Sequence, residues 1–225
     1  MTKFKNRIKK AYRILKTRWR VAFGKEPLSY GWGADRGYPV HRYYLECFLR
    51  DCKEDVKGHC LEFYNKDYTR KYGGQRVTRM DVMSKEPDNP EATIIADLCQ
   101  PNLLESDTFD CIICTHVLHV IEDFKKAVQE MHRILKPGGV LLVAVPHISM
   151  CDPNFGELWR FTPYGLKRVM ESAFQKEKVI IKGYGNSLAA ACDLRGIVTH
   201  EMGVHELAFQ DERFAVEVCG RAVKG

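Results

Sequence analysis

Residues 109–148, FDCIICTHVLHVIEDFKKAVQEMHRILKPGGVLLVAVPHI, constrain the fold more than any other part of the chain. Residues 109–115 are a short apolar run rich in β-branched side chains, which predicts a buried strand. Phe124, Ala127, Val128, Met131, Ile134 and Leu135 then recur at helical spacing on one face. Pro137-Gly138-Gly139 predicts a left-handed stop, and residues 140–145 a second buried strand. Two buried strands joined by an amphipathic helix form a parallel βαβ unit. A parallel sheet needs cover on both faces, so the expected architecture is a doubly wound α/β sandwich.

The flanking sequence keeps the same rhythm. Strands are expected at 59–63, 76–82, 92–98, 179–183 and 214–223, with a short helix at 67–72. Another helix is expected at 163–174, capped by Thr162 with Pro163 in its first turn. Residues 29–39 are rich in glycine and aromatics and read as irregular. Pro39 then opens a helix to about residue 52, a segment able to lid a cleft.

Charge divides the chain into 1–28, a basic helix or tail, and 29–225, one Rossmann-type domain. Ten of the 35 Lys and Arg residues, and none of the 29 acids, fall within residues 1–25, which leaves the remainder net acidic. Within 3–23, Phe4, Ile8, Tyr12, Leu15, Trp19 and Phe23 fall on one stripe. Such a helix suits an anionic membrane surface, or packing on the body of the protein. Phosphate contacts to nucleic acid are the least favoured of the three. No run is long and apolar enough for a membrane span, and the N-terminus lacks a signal-type apolar core, so a cytoplasmic location, peripheral to the membrane if the helix binds there, is expected. Nine cysteines, an odd number lying mostly in apolar runs, read as reduced thiols. Cys111 and Cys114 would point to opposite faces of one strand, so no metal site is expected.

Ligands of open α/β sheets bind beyond the carboxyl ends of the strands. Glu62, Asp81 and Asp97 are expected at the ends of strands one, two and three. There Asp81 suits ribose hydroxyls and Asp97 an adenine amino group. Three such acids point to a nucleoside-type ligand. G-x-G-x-x-G is missing after strand one, which argues against a dinucleotide. His116, His119 and His147 lie at or just past strands four and five and are the candidate general bases. Each is also readable as a structural histidine. Trp159 and Arg160, with His41 and Tyr43 in the lid, are candidates for contact with a second substrate. Trp159 reads first as packing.

The order of these elements, together with Glu62, Asp97-Leu98, FDCIICTHVLHVI and ILKPGGVLLVAVP, resembles class I S-adenosylmethionine-dependent methyltransferases over residues 36–224. DRGYPVHRYYLECFL, KDYTRKYGG, NPEATIIADL, LWRFTPYGLKRV and YGNSLAAA are similar to a narrower group of bacterial methyltransferase-like proteins associated with glycosyltransferases and surface polysaccharides. The resemblance implies a seven-stranded sheet in the order 3-2-1-4-5-7-6 with the last strand antiparallel. It implies S-adenosyl-L-methionine as donor and a small-molecule or glycan acceptor, methylated at oxygen. Glu62 and Tyr64 would lie at the donor loop, Asp81 by the ribose, Asp97 and Leu98 by the adenine. Thr115 and His116 would lie by the methionine part. The family's first motif ends in glycines, whereas this chain reads Phe63-Tyr64-Asn65-Lys66-Asp67, with no glycine until Gly73. Tyr64 either fills part of the donor pocket or swings aside to stack on the ligand. The competing reading is a non-catalytic domain that binds a nucleotide or a partner.

Overall fold

The computed structural model describes residues 2–100 and 104–225. Seven strands form one mixed sheet in the order β3-β2-β1-β4-β5-β7-β6, as expected. They are β1 (Gly58–Phe63), β2 (Val77–Ser84), β3 (Ile94–Ile95), β4 (Phe109–Thr115), β5 (Leu135–Pro146), β6 (Val179–Tyr184) and β7 (Glu217–Val223). The pairings of β1 with β2 and β4, β2 with β3, and β4 with β5 are parallel. The helices are α1 (Thr2–Phe23), α2 (Val40–Asp51), α3 (Asp67–Gly73), α4 (Phe124–Ile134), α5 (Pro163–Met170), α6 (Ser187–Leu194) and α7 (Val204–Ala208).

The chain forms two compact units. The larger comprises 46–147, 152–182 and 218–225 and holds β1 to β5. Cys111, Ile112, Ile113 and Cys114 of β4 and Leu141, Leu142, Val143 and Ala144 of β5 are fully buried, as a strand covered on both faces requires. Ala127, Val128, Met131 and Ile134 of α4 are buried too, and Asp123 caps that helix by accepting from the Lys126 N–H at 3.1 Å. The smaller unit comprises 1–45, 148–151 and 183–217. In it, Arg36 pairs with Glu201 at 2.6 Å, and Tyr44 donates to the Leu207 carbonyl at 3.1 Å.

Several boundaries differ from the sequence expectation. β2 runs to Ser84, two residues beyond the expected end. β3 shrinks to two residues, because the Thr93 hydroxyl accepts from the Val82 N–H at 2.9 Å and takes the place of a ladder bond. The glycine turn does not cap α4. The helix stops at Ile134 and Leu135 is already extended, while Gly138, at φ 78°, sits inside β5, where the register with β4 shifts. α5 ends at Met170 and β7 begins at Glu217, each shorter than expected. α6 and α7 were not anticipated.

Candidate functional site

The strand order reverses between β1 and β4, since the chain proceeds from β1 to β2 and β3 on one side and from β4 to β5 on the other. That switch point is where an open α/β sheet accommodates a ligand. Glu62 pairs in register with Ile113, so Tyr64 and Thr115 come level at the mouth of the crevice. Of the four non-glycine residues with positive φ among the described residues, two stand here. Tyr64 has φ 70° and His116 has φ 54°. Each such conformation costs about 1 kcal/mol or more and persists only where the surroundings impose it. Here they do. The Tyr64 N–H donates to the Met83 carbonyl at 3.0 Å, and the Tyr64 carbonyl accepts from Asn89 Nδ2 at 2.8 Å. The His116 N–H donates to the Ala144 carbonyl at 2.8 Å.

The backbone at Tyr64 thus follows the left-handed path that a glycine takes without strain. Tyr64 is 73% exposed, so its ring is not packed into the protein. Sequence reasoning could not foresee this backbone path, because nothing in the residue order reports the sign of φ.

Glu62 is buried at the end of β1, and its two oxygens accept from the N–H groups of Tyr68 at 3.1 Å and Thr69 at 2.7 Å. It therefore occupies the N-terminus of α3 and fixes the loop that carries Tyr64. A dinucleotide's pyrophosphate binds at such a helix N-terminus. This one is already filled by a carboxylate. Burial pushes the Glu62 carboxyl up to about 7, against the opposing pull of the Thr69 and Tyr68 hydrogen bonds.

Asp81 does not end its strand. It pairs in register with Leu61, three residues short of Ser84, and its carboxylate is engaged by His59 Nε2 at 2.6 Å, Thr93 Oγ1 at 2.9 Å and Arg79 at 3.0 Å. Burial opposes its ionisation, yet these three partners hold it below the usual carboxylate range. The exposed acid just past β2 is Glu86, whose N–H donates to the Ser84 hydroxyl at 3.0 Å. The sequence expectation had set this strand end two residues early. Asp97 does lie just beyond β3. The Cys99 N–H at 2.9 Å and Lys85 at 3.1 Å hold it ionised, and Leu98 beside it is buried.

Past β4, the 3-10 turn Leu118–Val120 carries His119, which is buried. Its Nε2 lies 3.4 Å from Glu157, which Arg160 pairs with at 2.5 Å, and its Nδ1 has no hydrogen-bond partner among the described residues. Burial and then the adjacent His116 push the His119 imidazole down to about 4, so it stays neutral near neutrality and is a weak base. The His116 and His119 rings meet edge to face at 6.0 Å. The carbonyl of His119 accepts from Leu158 and Trp159, and Trp159 Nε1 donates to the Ile121 carbonyl at 2.9 Å, its ring edge-on to Phe124. Arg160 thus belongs to the Glu157 cluster.

His147, half-buried past β5, has Nδ1 2.9 Å from the Phe161 carbonyl. A carbonyl only accepts, so Nδ1 carries the proton and Nε2 is the basic nitrogen of the neutral ring. Residues 62–64, 97–98, 115–119, 147 and 157–160 all belong to the larger unit. His41 and Tyr43 belong to the smaller one, where His41 Nδ1 lies 3.0 Å from Asp193 and the Tyr43 and Tyr44 rings are 5.2 Å apart.

Residues 58–143 match the family model described as a methyltransferase domain. The chain is 33% identical over 81 residues to a Dictyostelium discoideum polyketide synthase, covering 34% of this chain and 3% of that one. It is 37% identical over 60 residues to the ubiquinone/menaquinone biosynthesis C-methyltransferase of Haemophilus ducreyi, covering 27% of this chain and 23% of that one. The chain therefore spans a small part of these relatives. The N-methyltransferase NodS of Bradyrhizobium japonicum, solved with S-adenosyl-l-homocysteine, is 14% identical with a TM-score of 0.54, covering 94% of this chain and 98% of that one. At that identity the likeness shows the fold alone. Residues 58–143 thus match a methyltransferase-domain model, and the sheet order is that of the Rossmann-like methyltransferase fold.

Proposed function

We propose that the chain transfers a methyl group from S-adenosylmethionine to a hydroxyl of a small-molecule or glycan-type acceptor. The observation that carries the donor assignment is Glu62 seated on the N-terminus of α3. A ligand of this crevice receives no phosphate cradle from that helix, which suits a nucleoside donor without phosphates. The left-handed, pinned backbone of Tyr64 supports the same reading, since it leaves the close approach that the missing glycine would give.

In this reading the loop held by Glu62, with Asp97, Leu98, Thr115 and His116, holds the donor. S-adenosylmethionine supplies a methyl group already activated on a sulfonium. The protein is left with alignment, exclusion of water and removal of one proton. In this reading His147 Nε2 accepts that proton, a role supported by its Nδ1–H being held by the Phe161 carbonyl. His119 is too weak a base and, with Glu157 and Arg160, supports the wall of the site. The glycan preference rests on the sequence resemblance and on no contact in the structure.

The test is incubation of the purified protein with labelled S-adenosylmethionine and a panel of sugars and small hydroxylated acceptors. The expected product gains one methyl group at oxygen. His147→Gln is expected to lower the rate about a hundredfold or more while donor affinity stays unchanged. Methylation at carbon or nitrogen, or full activity in His147→Gln, contradicts the assignment.

A further inference from the structure

Helix α1 is held by its less apolar side and turns its apolar stripe to solvent. Thr17 is 7% exposed, and Arg18 pairs with Glu206. Thr17, Arg18 and Ala22 line a cavity of about 370 Å³ with Cys192, Met202 and Glu206 of the same unit. On the side opposite Thr17, by the helical period, lie Ile8, Tyr12, Leu15, Trp19 and Phe23. They are 54% to 71% exposed, with the Trp19 and Phe23 rings 5.4 Å apart. The stripe begins in sequence at Phe4, whose side chain lies outside those described. Lys5, Lys9 and Lys16, all exposed, follow one flank of it.

A continuous row of five large apolar side chains in water, on a helix already anchored by its other face, marks an interaction surface. Its charge identifies the partner. Ten cations and no acid within residues 1–25 complement an anionic surface. A second copy of the helix would set cation against cation. Nucleic acid would use the cations but leave Ile8 and Leu15 without an apolar partner. No helix among the described residues is long and apolar enough to cross a membrane.

We propose that α1 docks this protein on an anionic lipid bilayer. The helix lies in the plane of the interface, with the Ile8–Phe23 stripe at the acyl boundary and the flanking lysines among the headgroup phosphates. The inference does not depend on the chemistry proposed above, because docking is read without donor or acceptor.

The experiment is co-sedimentation of the full chain with vesicles of phosphatidylcholine alone, and with about one third phosphatidylglycerol added. Binding to the mixed vesicles and not to the neutral ones is expected. Lys5→Gln, Lys9→Gln and Lys16→Gln combined are expected to lower the partition coefficient about a hundredfold, at roughly fivefold per lysine. Leu15→Ser with Trp19→Ser is expected to abolish binding at unchanged charge. Circular dichroism melts should match the wild type, since both residues are exposed. No binding to the mixed vesicles, or binding that survives loss of Leu15 and Trp19, overturns the proposal. So does a dimer in sedimentation velocity that the Leu15 and Trp19 substitutions dissociate, or binding to single-stranded RNA where vesicles fail to bind.

Discussion

Glu62 and Tyr64 sit two residues apart and do opposite kinds of work. One fills a helix terminus with a side chain, and the other shapes a loop with its backbone. Only the first was partly legible in the sequence. An acid at the end of β1 is visible in Leu61-Glu62-Phe63, but its engagement of two N–H groups depends on where α3 begins. Asp81 shows the reverse failure. Its position looked like a strand end because the strand was expected to stop at residue 82, whereas it continues through Met83 and Ser84, and the register with β1 places Asp81 inside the sheet, against His59. Glu62 also makes stability depend on pH. Its folded carboxyl titrates at about 7 against an ordinary value of 4.5, so the folded state holds a proton that the unfolded chain has released. The stabilisation is complete below about pH 4.5 and is lost as pH rises through about 7, by at most about 3 kcal/mol. Thermal melts of the wild type should fall across that window relative to those of Glu62→Gln, which has no proton to lose. Parallel profiles would contradict the burial argument.

Among the elements, α4 and the strands around it were readable because helical and strand periodicity are local properties. α5 was readable at its start for the same reason. Thr162 accepts from the Gly165 N–H at 3.0 Å, and Pro163 follows in the first turn. Thr162→Ala should cost about 1 kcal/mol in chemical denaturation, because one N–H of the first turn loses its partner, and Thr162→Ser should restore most of it. A loss below a few tenths of a kcal/mol in Thr162→Ala would show the cap to be replaced by water. β3 was misjudged because a side-chain hydroxyl, Thr93, substitutes for backbone pairing, and no propensity scale registers that. α6 begins at a similar device, Asn186 accepting from the Ala189 N–H at 2.9 Å, but its small, evenly apolar run gave no amphipathic signal.

For the molecule as a whole, the sheet order places a crevice between β1 and β4, and two left-handed residues mark its mouth. The central claim is that this crevice admits a phosphate-free nucleoside donor even though the usual glycine is a tyrosine. Titration calorimetry with S-adenosylhomocysteine, NAD and ADP, on the wild type and on Tyr64→Gly, tests it most directly. The account predicts that S-adenosylhomocysteine binds both proteins within about threefold of each other, since the substitution changes neither the backbone path nor a buried contact, and that NAD and ADP do not bind. Failure of the wild type to bind at millimolar ligand, with binding restored in Tyr64→Gly, would contradict it. That result would leave a domain whose donor site the tyrosine has closed.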